Sequence, residues 1–217
     1  MNVDKLLRRY FAENEQQPMI EVFDHDTIYD TYRNIVQLLN SYPDIEVTVL
    51  QALSYCFYEI LDNVLTHSER KCGTVVTQYL TENNKIQVLV ADDGIGLAAS
   101  LRNNPEYADI TEENAVRYCI NDGVTDGKGM GFGLYSTSRL IKNVGITLEI
   151  HSGCNKLIYD GVNVNVVLTQ EWQGTIIYFE LHSDKDINPN DVVDNRTDCE
   201  NQFNEEFCKE DELDKLW

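Results

Sequence analysis

The sequence has few basic residues for its length, and this scarcity limits what the protein can bind. Only 17 lysine and arginine residues stand against 37 aspartate and glutamate residues, so the formal net charge is −20. Nucleic-acid binding depends on cationic side chains that neutralise phosphates, so a chain of this charge is not expected to bind nucleic acid. A smaller anion can still bind where backbone N–H groups, a helix N-terminus or a metal ion offset the negative field.

Membrane and secretion signals are also missing. The sequence contains no run of about 18 apolar residues that could cross a bilayer. Residues 1–17 carry basic charge but lack the apolar core of a secretion signal. The six cysteines include no CxxC pair and have no histidine at metal-binding spacing. We therefore expect reduced thiols rather than disulfides or zinc ligands, in a cytoplasmic protein with no membrane partner.

Length and composition favour one globular domain with an appendage. The chain has 217 residues, of which 42% are hydrophobic, and this is enough to bury a core. We assign residues 1–182 to this domain. Residues 183–217 are strongly acidic and poor in apolar side chains, which is typical of a flexible tail. Phe207, Leu213 and Trp217 leave a second interpretation open, in which the tail docks on the domain or on a partner.

Hydrophobic periodicity predicts a mixed α/β domain. Helical spacing predicts helices at residues 26–42, 46–68, 111–120 and 132–143. Two strands are predicted at 74–80 and 85–91, and three or four more in the segments 146–152, 155–160, 162–169 and 174–183. This order indicates a two-layer α/β sandwich, with helices on one face of a mostly antiparallel sheet.

The first candidate site motif lies on the predicted helix at 46–68. Glu59 and Asn63 are one turn apart, so a carboxylate and a carboxamide project side by side. Oxygen ligands suit Mg²⁺, and a neighbouring carboxylate can orient or deprotonate a water or a hydroxyl. An ordinary amphipathic helix with a solvated polar face would show the same pattern, so this motif alone does not establish a site.

The second motif is the turn DDGIG that follows the predicted strand 85–91. Asp92 at the strand end can accept a hydrogen bond from an exocyclic amine, and Gly94 and Gly96 allow the backbone to approach a flat ligand. A plain turn is one alternative. A dinucleotide fingerprint is another, since the glycines also fit GxGxxA, but Asp92 and Asp93 would repel a pyrophosphate there and no clear βαβ unit follows.

The third motif is a glycine-rich stretch, GKGMGFG, that leads into the predicted helix 132–143. Its backbone N–H groups and the helix N-terminus converge on one place, which favours a phosphate-binding cradle. The spacing is not that of a P-loop. A flexible hinge without a ligand is the alternative interpretation of this segment.

The order and spacing of these motifs resemble the ATP-binding domain of the GHKL family, which is named after gyrase, heat-shock chaperone, histidine kinase and MutL. EILDNVLTHS is similar to the N box of that family, DDGIG to its G1 box and GMGFGL to its G2 box. Gly174-Thr175 resembles the Gly-Thr pair that opens the last strand. The resemblance spans about residues 45–182 and implies a Bergerat-type sandwich that binds ATP and Mg²⁺.

The resemblance also implies a role for each residue. Asn63 would coordinate Mg²⁺ and Glu59 would act as the general base. Asp92, supported by Thr175, would accept a hydrogen bond from the adenine amino group. Segment 121–130 would form a mobile lid. Lys128, the second implied catalytic residue, would meet the γ-phosphate. The remaining implied binding residues are Gly94 and Gly96 around adenine, and Gly129, Gly131 and Gly133 around the phosphates.

Within the family, the sequence is most similar to free-standing members, namely the anti-sigma-factor serine kinases and small ATP-binding proteins with STAS-like partners. GMGF and the spacing of Glu59, Asn63 and His67 suit that group. One position departs from it, because Gly127 stands where those kinases carry a lid arginine, next to Lys128. Loss of such a cation matters for phosphoryl transfer, since it stabilises charge in the transition state.

Two functions follow from this resemblance. One is a protein serine/threonine kinase that transfers the γ-phosphoryl group of ATP to a STAS-type partner. The other is an ATP-gated switch that orders its lid, pairs with itself as a homodimer or with a partner, and hydrolyses ATP slowly.

Overall fold

The structure is a computed structural model that describes residues 3–11, 17–129, 131 and 133–192. The helices are α1 (Val3–Tyr10), α2 (Ile28–Asn40), α3 (Val47–His67), α4 (Leu97–Leu101), α5 (Glu112–Tyr118) and α6 (Gly133–Val144). The strands are β1 (Met19–Asp24), β2 (Cys72–Leu80), β3 (Lys85–Ala91), β4 (Gly145–Tyr159) and β5 (Val164–His182). No helix within the described ranges is both long enough and apolar enough to cross a bilayer.

The five strands form one antiparallel sheet in the order β1-β2-β3-β5-β4. Strand β3, with the sequence KIQVLVA, lies at its centre, and six of its seven residues are buried. A run of apolar side chains on both faces of the strand explains this position, since both faces of the sheet are covered there. The turn after β3 therefore begins at the end of a buried central strand.

Most helices cover one face of the sheet. The apolar side of α3 packs into the main core, where Phe57 is 1% exposed and Ile60 is fully buried. Apolar residues of α2 and α6 belong to the same core. The predicted α/β sandwich is confirmed, and the structure adds helix α1 on the opposite face, where Leu6 and Tyr10 pack on the sheet.

Two parts of the secondary structure differ from the prediction. The sequence pattern gave no indication of β1, which pairs with β2 along the whole of its length. The three or four predicted C-terminal strands are two long strands, because bulges near Gly153 let β4 continue past the Ser-Gly-Cys-Asn segment without a turn. A glycine suits this bulge, since Gly153 has a φ of +59°.

The start of the predicted acidic tail contacts the domain. The Ser183 carbonyl accepts a hydrogen bond from the Glu46 N–H group at 2.8 Å, and Ile187 and Val192 are buried in the main core. Residues 193–217 lie outside the described residues, and with them Phe207, Leu213 and Trp217. Flexibility and docking of that segment both remain predictions.

Candidate functional site

A cavity of about 680 Å³ lies between α3, the turn after β3, the described residues between 119 and 134, and strand β5. Most of the predicted site residues line its wall, namely Glu59, Asn63, Asp92, Gly96, Lys128, Gly129, Gly131, Gly133 and Thr175. Gly94 lies beneath the wall, against Ser68 and Asp92, which do line it. The fold therefore brings the three sequence motifs together around one space.

Helix α6 begins against the polar side of α3. A Cβ atom at Gly133 would lie 2.7 Å from Nδ2 of Asn63 and 3.3 Å from Cβ of Glu59, so a larger residue would displace this pair. The first N–H groups of a helix have no partner within the helix and carry partial positive charge. Donors of this kind beside a carboxylate and an amide can bind phosphate oxygens.

Asp92 is a buried acid at the end of β3. It is 3% exposed, and burial raises the pKa of its carboxyl group to about 6, against the lowering effect of hydrogen bonds from the backbone of Gly94 and Thr175. The Gly94 N–H group donates to Oδ1 of Asp92 at 2.7 Å. The Asp92 backbone is fixed to β5 as well, since its N–H group donates to the Thr175 carbonyl at 2.9 Å.

The turn after β3 is tightly packed against the end of α3 and against β4 and β5. A Cβ atom at Gly94 would lie 2.1 Å from the Ser68 carbonyl oxygen, and one at Gly96 would lie 2.7 Å from Oγ of Ser152. Ser152 joins the turn to the sheet, because it accepts a hydrogen bond from the Leu97 N–H group and donates one to the Gly174 carbonyl. Glycine therefore allows the turn to approach the Ser68 backbone at Gly94 and the Ser152 side chain at Gly96.

Residues 121–129, the described part of the predicted lid (121–130), contain turns and bends but no helix or strand, and residues 124–129 line the cavity. Thr125 Oγ1 donates to the Gly129 carbonyl at 2.8 Å. Lys128 is exposed, and its Nζ donates to the Thr66 carbonyl of α3 at 3.2 Å. The lysine predicted to meet the γ-phosphate therefore contacts helix α3, one turn from Asn63. Met130 and Phe132 lie outside the described residues.

The lining of the cavity is predominantly acidic. Among the residues that the structure describes there, four carry carboxylates, which are Glu59, Asp62, Asp92 and Asp126, whereas Lys128 supplies the permanent positive charge. A polyphosphate would be repelled by this wall unless backbone N–H groups and a cation offset it. A cation bound together with the phosphates would reduce this repulsion.

The residues present fit Mg²⁺. Asn63 and Glu59 offer hard oxygen donors beside the space where phosphates could enter. Within the described ranges, no group of three or more His, Cys, Asp or Glu side chains could hold a metal ion by itself. Mg²⁺ commonly takes one or two protein ligands and completes its shell with phosphate oxygens and waters.

Some residues of the site had no signal in the sequence. Ser152 on β4 accepts a hydrogen bond from the Leu97 N–H group, and Nε1 of Trp172 on β5 donates to the Asp92 carbonyl at 3.0 Å. Both residues are far from the turn in the sequence. Asp126 lies in the predicted lid, two residues before Lys128, but its sequence neighbours gave no reason to assign it a role. Its buried carboxylate contacts both His67 and Ser100, and these long-range contacts arise from the fold.

The comparison with known families gives one match. The sequence model described as histidine kinase-, DNA gyrase B-, and HSP90-like ATPase matches residues 48–185. This range covers more than half of the chain and includes all of α3 except Val47, the turn after β3, the lid and β5. No curated protein matches the sequence.

Proposed function

Because the chain belongs to the histidine kinase-, DNA gyrase B-, and HSP90-like ATPase family, we propose that its cavity is the Mg-ATP site of a cytoplasmic regulatory kinase. Membership supports ATP binding and a regulatory role. The observation that carries the proposal is the meeting of Glu59, Asn63 and the N-terminus of α6 in the same cavity as the buried Asp92.

Asp92 recognises the base in this proposal. Its carboxylate accepts a hydrogen bond from the adenine amino group, and Thr175 lies beside it on β5. Guanine presents a carbonyl oxygen at the corresponding position, which would face the carboxylate without a proton between them. A buried group left unpaired in this way gives strong discrimination between ligands.

The phosphates bind on the side of α3 and α6. Asn63 is the proposed Mg²⁺ ligand, and the ion would neutralise phosphate charge in the acidic cavity. Backbone N–H groups of Gly129, Gly131 and Gly133 hold phosphate oxygens. Glu59 accepts the proton of a substrate hydroxyl, whose oxygen bonds to the γ-phosphorus as the bond to the ADP oxygen breaks.

The proposed substrate is a serine or threonine hydroxyl on a STAS-type partner protein. This part of the proposal rests on the similarity of the motifs around Glu59, Asn63 and Gly131 to the free-standing serine kinases. A homodimer of the chain is the proposed assembly, as in the sequence-based expectation.

An ATP-gated switch is the second candidate, and the lid favours it. Lys128 donates to the Thr66 carbonyl, and Gly127 stands at the position of the lid arginine of the similar kinases. A lid of this kind can close on ATP without the strong cation that speeds phosphoryl transfer. Closure would then expose or hide a surface for a partner, and slow hydrolysis would reset it.

Incubation of the protein with γ-labelled ATP, Mg²⁺ and the product of the neighbouring gene separates the two functions. Label on the partner, lost when its acceptor serine or threonine is replaced by alanine, is the result expected for the kinase. Free phosphate without a labelled partner identifies the switch instead. Failure to bind ATP at all would contradict both functions.

A further inference from the structure

The carboxylate of Asp126 lies where the lid meets two helices. Its side chain is 1% exposed. Oδ2 is 2.8 Å from Nδ1 of His67 on α3 and accepts a hydrogen bond from Ser100 Oγ on α4 at 3.0 Å. Oδ1 accepts a hydrogen bond from the Lys128 N–H group at 3.0 Å. One side chain therefore joins the lid to α3 and to α4.

The ionised form of Asp126 fits these contacts. Burial acts to raise the pKa of this carboxyl group, but the hydrogen bonds from Lys128, His67 and Ser100 outweigh it and hold the pKa below its usual value. An ionised carboxylate only accepts hydrogen bonds, so Nδ1 of His67 carries the proton between them. Charge-assisted hydrogen bonds are stronger than neutral ones, which suits an attachment point for a glycine-rich segment.

Lys128 follows two residues after this attachment. Its Nζ lies 4.0 Å from Oδ2 of Asp126 and bonds to the Thr66 carbonyl, so both its backbone and its ammonium group are held at the wall of the cavity. We propose that Asp126 is a positioning residue, which fastens the lid to α3 and α4 and so holds Lys128 in place for the phosphates of bound ATP. The role of Lys128 in this inference rests on the proposed function, whereas the attachment of the lid does not.

Amide hydrogen exchange of the protein without nucleotide tests the attachment. Asp126→Asn keeps the shape of the side chain but loses its charge, and we expect exchange in residues 124–129 to become at least about ten-fold faster. Ser100→Ala removes one donor and should give a smaller increase. Asp109→Asn removes an exposed carboxylate outside the lid and serves as the control. Unchanged lid exchange in the folded Asp126→Asn and Ser100→Ala variants would overturn the proposal.

ATP affinities of four proteins test the positioning of Lys128. These are the parent, Lys128→Ala, Asp126→Asn and the double variant. Lys128→Ala should weaken ATP binding at least about ten-fold in the parent but less than about two-fold in the Asp126→Asn background, because residues that act together are not additive. An equal change in both backgrounds, including no change in either, would contradict the proposal. A parent protein that binds no ATP would refute the proposed function instead, while the exchange data would still decide whether Asp126 holds the lid.

Discussion

The turn after β3 and the lid are both rich in glycine, yet the structure holds them in opposite ways. At Gly94 and Gly96 in the turn, and at Gly174 on β5, which faces it, an added Cβ atom would lie within 2.1 to 2.7 Å of another atom. At Gly123, Gly127 and Gly129, no atom of the described residues other than the chain neighbours lies within 4 Å of such a Cβ atom. Glycine is thus a packing requirement in the turn and a source of freedom in the lid.

This difference matches two proposed tasks within one cavity, which are base recognition by the turn and phosphate binding beneath the lid. The turn is attached to β5 through Asp92 and to β4 through Ser152, so the proposed base site is in place before a ligand arrives. The lid depends on a few side-chain contacts, of which those of Asp126 are buried. Segments with few buried contacts open at low free-energy cost, and this allows the phosphate side to adapt to ATP.

The largest effect is expected on the α3 side of the cavity. Glu59→Gln should lower turnover by roughly 100- to 10,000-fold, because the general base is lost, while ATP affinity changes by less than about three-fold. Steady-state turnover and calorimetric titration measure the two quantities. Glu82→Gln, in the exposed turn between β2 and β3, is the control. Turnover close to that of the parent would remove Glu59 from the chemistry.

A pair of alanine substitutions tests the contrast between the glycines directly. At Gly174, φ is +96° and an added Cβ would lie 2.4 Å from the Asp92 carbonyl oxygen, whereas at Gly129 the space is open. Gly174→Ala should lower the free energy of unfolding by about 3 kcal/mol or more, and Gly129→Ala should change it by less than about 1 kcal/mol. Urea unfolding monitored by circular dichroism measures both. Similar losses of unfolding free energy in the two variants would show that packing does not distinguish the two glycines.

Base choice tests the function of the rigid turn. The parent should bind ATP at least about ten-fold more tightly than GTP, because guanine leaves the buried Asp92 carboxylate without a donor. Asp92→Asn should abolish this preference, since an amide can donate to the guanine carbonyl. Asp93→Asn, one residue further along the turn, should keep it. Equal affinities of the parent for ATP and GTP would rule out the role of Asp92.

The raised pKa of Asp92 predicts a smaller, pH-dependent effect. The adenine amino group donates to the ionised carboxylate, so affinity should fall as the pH drops through about 6 and Asp92 becomes protonated. Between pH 7 and pH 5 the loss should approach about ten-fold. Purine riboside triphosphate, which lacks the amino group but has the same phosphates, is the control. Parallel pH curves for the two nucleotides would contradict this account.

The parts of the fold that the sequence predicted are those with a strong local pattern. The apolar side of α3, with Phe57 and Ile60, and the apolar strand β3 were clear from periodicity, and both are buried as expected. Strand β1 was not predicted, because apolar and polar side chains alternate only weakly in its six residues. Its position is set by pairing with β2. The continuity of β4 past Gly153 depends on bulges, which look like turns in a sequence.

The same distinction applies to the site. Glu59, Asn63 and Asp92 could be proposed because each belongs to a short motif whose chemistry is visible in a few residues. Asp126 and Ser100 could not be paired, since 26 positions separate them and their hydrogen bond forms only when the lid folds onto α4. Contacts between segments that are distant in the sequence are the part that requires the structure.

Binding of Mg-ATP in the cavity through Asn63 is tested most directly by calorimetric titration of ATP into the parent and into Asn63→Ala. For the parent, Mg²⁺ should raise the ATP affinity at least about ten-fold, a gain of about 1.4 kcal/mol in binding free energy. Asn63→Ala should lose this gain and keep an affinity without Mg²⁺ within about three-fold of the parent. An Asn63→Ala variant that binds Mg-ATP as tightly as the parent would contradict the claim.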